Sequence, residues 1–336
     1  MGWPYRPYND AGPGYSETDR IPGGAEQGAH MGVLDRGIPE SPVPGADLNE
    51  LAVAFEAMRP RLFGIAYRML GSAAEAEDVV QDAWVRWQTT DRSGIRSAIA
   101  FLTTMTTRLS LNVATSSRRR RESYIGPWVP EPVLTSTDPQ LGAENAEALE
   151  IGLLMLMERL TPMERAVYLL HEAFDYSYRD IAEVIETTEA NARQLSRRAR
   201  LHLTQRSDTR VSVEQKNRLL RTFLAAAQSG DVQSLQALLT DDITVYSDGG
   251  GIVSAARRPI EGRDRVARFL FGVLDKLTAD IDIQFAPVNG ADAILVRRAG
   301  DPYLVGMIDV TDAGIDRIFV VMNPEKLGAL RDAAGT

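Results

Sequence analysis

From Leu51 onward, apolar residues recur at three- and four-residue steps (Phe55, Met58, Leu62, Ile65, Met69) and stop at Gly71. That spacing is one buried stripe of an amphipathic helix. Ser72 with Glu75 reads as a capping box. Ala76, Val79, Val80, Ala83 and Trp87 then make a second stripe, with Glu75, Asp78, Gln81 and Asp82 towards the other side. A third helix is predicted over 97–116 with Leu102, Met105 and Leu109 inside, ending in the arginine run 118–121. Gly126-Pro127-Trp128-Val129-Pro130-Glu131-Pro132 fits neither a helix interior nor a central strand, so 118–147 reads as a linker. Periodicity resumes at Leu149, Leu153, Leu156 and Leu160, and Thr161-Pro162-Met163-Glu164 is a capping box with proline at the first helical position. Ser177-Tyr178-Arg179-Asp180 opens a short helix through Ile185, and Thr187-Thr188 turns into another. Short helix, tight turn and helix is the helix-turn-helix order.

Beyond residue 210 the period changes. Two helices (213–228 and 231–239) lead into strand-like runs at 243–246, 281–285, 293–297, 303–310 and 315–321, with a helix at 264–277 between the first two. The fold class expected is therefore multidomain: a helical bundle over 47–117, a helix-turn-helix domain over 148–206, and an α+β domain over 211–330. Residues 1–46 are crowded with glycine and proline without either period, so they are expected to be a disordered tail.

Composition narrows the chemistry. The 336 residues include no cysteine, which removes disulfides, thiolate metal sites and cysteine nucleophiles. No metal or other cofactor is expected. No apolar run reaches the roughly 18 residues of a membrane span and the N-terminus lacks the order of a secretory signal, so the expected location is the cytoplasm. A formal net charge of −9 argues against a protein that coats nucleic acid indiscriminately. Any DNA contact must be local.

One face supplies such a contact. At 100° per residue from Glu189, Arg193, Arg197 and Arg200 fall together with Ser196 alongside, while Ala192, Leu195, Ala199 and Leu203 occupy the opposite arc. The apolar arc would pack on the preceding helix and leave the arginines for a major groove, where guanidinium groups bond guanine edges or phosphates. The run 118–121 either contacts phosphate or complements its helix dipole as a solvated end. The face of Asp78, Gln81 and Asp82 either docks on a basic partner or is solvated.

With these blocks in view the chain resembles the extracytoplasmic-function (ECF) sigma factors of the sigma-70 family. Tyr67-Arg68-Met69-Leu70 through Glu77-Asp78-Val79-Val80-Gln81-Asp82-Ala83-Trp84 carries the likeness to region 2, and Leu160-Thr161-Pro162-Met163-Glu164-Arg165 through Tyr178-Arg179-Asp180-Ile181-Ala182 that to region 4. The resemblance implies that Asp78, Gln81 and Asp82 face the coiled coil of the polymerase β′ subunit, with core RNA polymerase (β and β′) and promoter DNA as partners. It also implies that the segment from Ser93 to Arg119 reads and opens the −10 element, with Arg108 and Asn112 as contacts, and that the arginine helix reads the −35 element; Arg118 and Arg119 of the arginine run are the candidates for phosphate contact. The rest resembles the subgroup with a fused SnoaL-like domain. Trp128 and Pro130 in the linker, Asp248-Gly249-Gly250-Gly251, and Asn323-Pro324-Glu325-Lys326-Leu327 match its signatures, although Ile252 stands where lysine often follows the glycines. In that subgroup the extra domain acts in place of a separate anti-sigma protein.

Two other readings of the C-terminal domain stay open. An enzyme would draw on Asp248, Asp282, Tyr246 and Tyr303, but all three histidines (His30, His171, His202) lie outside the domain and no spaced acid pair stands out, so no catalysis is expected. A small-molecule sensor needs an apolar cavity, and finding none would count against both. A third possibility is a helix-turn-helix repressor that binds DNA without polymerase.

Overall fold

A computed structural model describes residues 48–135, 150–203, 211–274 and 281–333; the expected tail at 1–46 lies outside these residues. Three helices come first: α1 (Leu48–Leu70), α2 (Ala73–Thr89) and α3 (Ala98–Glu122). Leu62, Ile65, Leu70, Val79, Trp87 and Leu102 close their common core. The capping box at the start of α2 is only half formed. Ser72 accepts the Glu75 amide at 3.2 Å, but the Glu75 carboxylate turns to Ser117 and Arg120 on α3. Those contacts explain why α3 runs through the arginine run, where a linker had been expected.

Helices α4 (Ile151–Met157), α5 (Pro162–Glu172), α6 (Tyr178–Val184) and α7 (Glu189–Leu203) follow. At α5 the box is complete, with Thr161 and Glu164 satisfying each other's amides. Both helical groups share one buried cluster, with Ala166 and Leu170 of α5 joining the residues of α1 and α3.

The C-terminal domain holds α8 (Val213–Ser229), α9 (Val232–Ala237), α10 (Arg263–Leu274) and six strands: β1 (Leu239–Asp248), β2 (Ile260–Glu261), β3 (Ile281–Val288), β4 (Ala291–Arg298), β5 (Asp301–Thr311) and β6 (Gly314–Val321). The sheet order is β2-β1-β6-β5-β4-β3; β1 and β6 are parallel and every other pair antiparallel. All five predicted strands are present and longer than expected, while β2 carried too short a signal to be read. The inner face, with Ile243, Val245, Ile294 and Val296, packs on Phe223 of α8 and Val266 of α10. The outer face, with Leu295, Val305, Phe319 and Val321, packs on Val129 of the linker and Ile151 of α4. Both faces are thus covered, the outer one by the chain's own helical half.

Candidate functional site

The arginine face of α7 forms largely as expected. Arg193, Arg197 and Arg200 are exposed, and Ala192 and Ala199 are buried. Arg193 pairs with Glu189 one turn back and sits 5.0 Å above the Tyr178 ring, while Arg200 bonds Glu172 at 2.5 Å. That hydrogen bond raises the Arg200 pKa further. Ser196 corrects the expectation: it is 1% exposed and shares a hydrogen bond of 3.0 Å with the Tyr178 hydroxyl, because its position borders the Ala192–Ala199 arc and falls on the packed side.

Asp78, Gln81 and Asp82 line the exposed side of α2, and Asn112, Arg118 and Arg119 are exposed on α3. Arg108 lies differently. Its Nε donates to the Val184 carbonyl at 2.8 Å, Nη2 to the Glu183 carbonyl at 3.0 Å, and Nη1 pairs with Glu186 at 2.9 Å. These carbonyls close the C-terminal end of α6, where a cation complements the helix dipole. One side chain of the first domain therefore caps the first helix of the helix-turn-helix.

The arginine run serves two ends. Arg121 pairs with Glu158, donates to the Leu70 carbonyl and lies 3.9 Å over the Trp128 ring. Buried Arg165 shares Glu158 and donates to the Met69 carbonyl at 2.7 Å, so the last turn of α1 is satisfied by one guanidinium from α3 and one from the second helical group. Desolvation lowers the Arg165 pKa, with Glu158 acting against it.

The three C-terminal and linker motifs meet around one carboxylate. Asp248 is fully buried and accepts hydrogen bonds from Tyr124 (2.6 Å), the Val129 amide (2.9 Å), the Gly250 amide (3.0 Å) and Lys326 (2.7 Å). Lys326 also donates to the Val129 carbonyl at 2.6 Å and lies 4.4 Å over the Trp128 ring. Burial lowers the lysine pKa and Asp248 opposes that shift. Asn323 donates to the Tyr124 hydroxyl at 3.0 Å and holds the Glu325 amide at 3.1 Å, which places Pro324 at the start of a 3₁₀ turn; Leu327 is buried under the sheet. Gly250, at φ +63, comes so close to Asn323 that a Cβ would sit 2.4 Å from its Nδ2. Gly249 likewise leaves no room for a Cβ, which would fall 2.5 Å from the Val253 carbonyl, and Gly251 has φ +74. Trp128 and Pro130 cover Gly71 between α1 and α2. Ile252, in the position often held by lysine, is exposed, and the cation at the cluster is Lys326.

Several partners carried no readable signal. Glu131 is the carboxylate at the start of α2, accepting the Ala73 amide at 2.6 Å, the Ala74 amide at 3.1 Å and the Ser72 hydroxyl at 2.8 Å. Its carbonyl accepts the Tyr67 hydroxyl at 2.6 Å, which in turn accepts from Asn289 at 2.7 Å. Asn289, at φ 53, donates its amide to the Val133 carbonyl at 2.9 Å and accepts the Val133 amide on its side-chain Oδ1 at 3.1 Å, and Leu134 bridges Val288 in antiparallel fashion. The linker thus adds to the outer edge of β3. Proline-rich sequence had argued against strand pairing, but the pairing begins only after Pro132. Of the acids and phenols that an enzyme would use, Asp248 and Tyr246 lie on the outer face, Tyr246 stacked on Phe319, whereas Tyr303 packs with the inner one. They do not converge.

Family models match this chain twice: sigma-70 region 2 over residues 54–121, and sigma-70 region 4 over 151–203. The ECF RNA polymerase sigma factor SigJ of Mycobacterium tuberculosis is 35% identical over 289 residues, covering 81% of this chain and 91% of SigJ. The chain belongs to the ECF RNA polymerase sigma factors. A second M. tuberculosis relative, named "Probable ECF RNA polymerase sigma factor SigI", is 31% identical over 297 residues, 85% of this chain and 98% of that one. The crystal structure of M. tuberculosis SigJ superposes with a TM-score of 0.68 at 32% identity, covering 83% of this chain and 98% of that chain. Helical sigma domains followed by a C-terminal mixed sheet are therefore the architecture of this sigma factor. Among the described residues no helix is long and apolar enough to cross a membrane.

Proposed function

We propose that this sigma factor is held closed by its own C-terminal domain and linker, and opens on core RNA polymerase to read a promoter at two places. Asp78, Gln81 and Asp82 meet the β′ coiled coil, Arg193, Arg197 and Arg200 read the −35 element, and Arg108, Asn112, Arg118 and Arg119 serve the −10 element. The observation that carries the reading is Arg108, whose three nitrogens are all spent on region 4, on Val184, Glu183 and Glu186. A residue so engaged cannot meet DNA until region 4 swings away. The acidic face of α2 is exposed in the same state, so polymerase can engage first. Once core enzyme spaces the two domains, each weak DNA contact becomes intramolecular for the other.

Reconstituted transcription tests this. Core polymerase with the full chain should start at specific promoters only weakly, and removal of 211–336 should change that output, while the chain alone shifts duplex DNA little. Core enzyme that starts nowhere specific with either form would defeat the assignment of the sites. Equal output from both forms would defeat control in cis.

A further inference from the structure

Two adjoining cavities lie on the inner side of the 249–257 loop. The larger, about 300 Å³, is lined by Ser247, by Gly249 and Arg257 at the two ends of the loop, and by Ile125 and Gly126 of the linker. The smaller, about 120 Å³, shares the wall of Ser254, Ala255 and Ala256, and continues between Phe269, Val273 and Leu304. Ser247 sits on β1 between Tyr246 and Asp248 but projects to the opposite face, because side chains alternate along a strand. It is 1% exposed and its hydroxyl has no hydrogen-bond partner among the described residues. A buried orphan hydroxyl is costly, and a strand that needed only packing there would be better served by alanine or valine. Arg257 lines the same cavity, and neither cavity has an acidic residue in its wall among the described residues.

The geometry points to a binding site for a small amphipathic monocarboxylate. Its carboxylate takes the Ser247 hydroxyl and the Arg257 guanidinium, which suits a planar anion bidentately. Its short aromatic or aliphatic body enters the apolar arm beside Phe269 and Leu304. The volumes match a ligand of few heavy atoms, at the small end of known pockets. Linker and loop form two walls of one cavity: a Cβ on Gly126, at φ +89, would lie 3.8 Å from both the Ala256 carbonyl and the Arg257 Cα. A ligand touching both walls favours the state in which they are together, and so acts as a corepressor. This last step rests on the closed-state reading above; the binding step does not.

Ligand-observed NMR on the full chain, with benzoate and hexanoate as probes and benzamide and hexanamide as neutral controls, decides it. The carboxylates should bind about tenfold more tightly than the amides, the size of a charge-assisted pair. Arg257→Ala should erase that preference, and Ser247→Ala should weaken the carboxylates alone. Ser247→Val, which fills the cavity, should abolish all binding; should it fail to fold, the alanine variant carries the test. No carboxylate binding, or binding unchanged in both Arg257→Ala and Ser247→Ala, overturns the site and leaves water as the occupant. In a second arm, benzoate should slow hydrogen exchange at 124–135 and lower transcription from core enzyme. Binding with no such effect refutes the corepressor role and keeps the site. Loss of specific initiation without any ligand would instead fault the sigma assignments.

Discussion

Lys326 Nζ lies 2.7 Å from Asp248 Oδ2, and both side chains are buried where the linker crosses the C-terminal domain. The two partners are not equivalent. Asp248 keeps three other donors, Tyr124 and the amides of Val129 and Gly250, whereas Lys326 otherwise reaches the Val129 carbonyl. Asp248→Ala strands a buried ammonium and should cost about 3–5 kcal/mol, the usual loss when one partner of a buried pair is removed. Lys326→Met should cost less than half of that, since it removes a cation whose burial already disfavours its charge. Urea titrations followed by tryptophan fluorescence would compare them, and the reverse order would contradict this account.

Gly152, in the first turn of α4, faces Asp309 on β5 so closely that a Cβ would fall 1.7 Å from Asp309 Oδ2. Gly152→Ala should therefore lift region 4 off the sheet without unfolding either, at about 1–3 kcal/mol for overpacking. Small-angle scattering should show a larger radius of gyration, and limited proteolysis should accelerate between the domains. Combining it with Asp309→Ala makes room and should restore the compact form; a double variant as open as the single one would assign the effect to the backbone of α4 instead.

Tyr67 and Tyr124 both have pKa values raised above the ordinary tyrosine value, chiefly by burial; for Tyr124 its bond to Asp248 adds to this, whereas for Tyr67 the Asn289 bond acts the other way. A group protonated more firmly in the folded state stabilises that state fully below its unfolded pKa of about 10 and loses the contribution as pH rises through the folded value. Linker docking should thus weaken above about pH 10. Phenolate absorbance should show two tyrosines lagging the rest, one fewer in Tyr67→Phe and in Tyr124→Phe, and prompt ionisation of all tyrosines would remove the basis for it.

Why these contacts escaped a reading of the sequence follows from how each is encoded. Helix stripes and caps repeat locally, so α1, α2, α5 and the α6–α7 pair were legible from spacing alone. The run Ile318, Phe319, Val320, Val321 reads as a strand and is buried throughout, but what covers its two faces is not encoded in its own spacing. The motif residues around Asp248 were found through family likeness; their mutual contacts were not. Asn289, Glu131 and Gly152 act across separations of 222, 58 and 157 positions from Tyr67, Ala73 and Asp309, and no period or cap marks such a pair. Ser196 was misplaced for a smaller reason: it lies at the edge of a stripe, where a wheel cannot decide which side packing takes.

Arg108 and Glu186 separate closure from promoter use. Both are largely exposed at their ion pair, 45% and 74% of the side chain, so Glu186→Gln should loosen the closed state by at most about 1 kcal/mol, or roughly fivefold in population. It leaves Arg108 available to DNA, and initiation at limiting core enzyme should rise by up to that factor. Arg108→Ala loosens the same contact more, since the Val184 and Glu183 carbonyls also lose their donor. If Arg108 serves the −10 element, this variant should open more readily, by a fluorescence distance between α3 and α6, yet initiate less. Fluorescence and initiation would then diverge in one variant and agree in the other. Initiation that rises in both would leave Arg108 a latch with no part in melting, and initiation that falls in both, with the distance unchanged, would remove the latch itself.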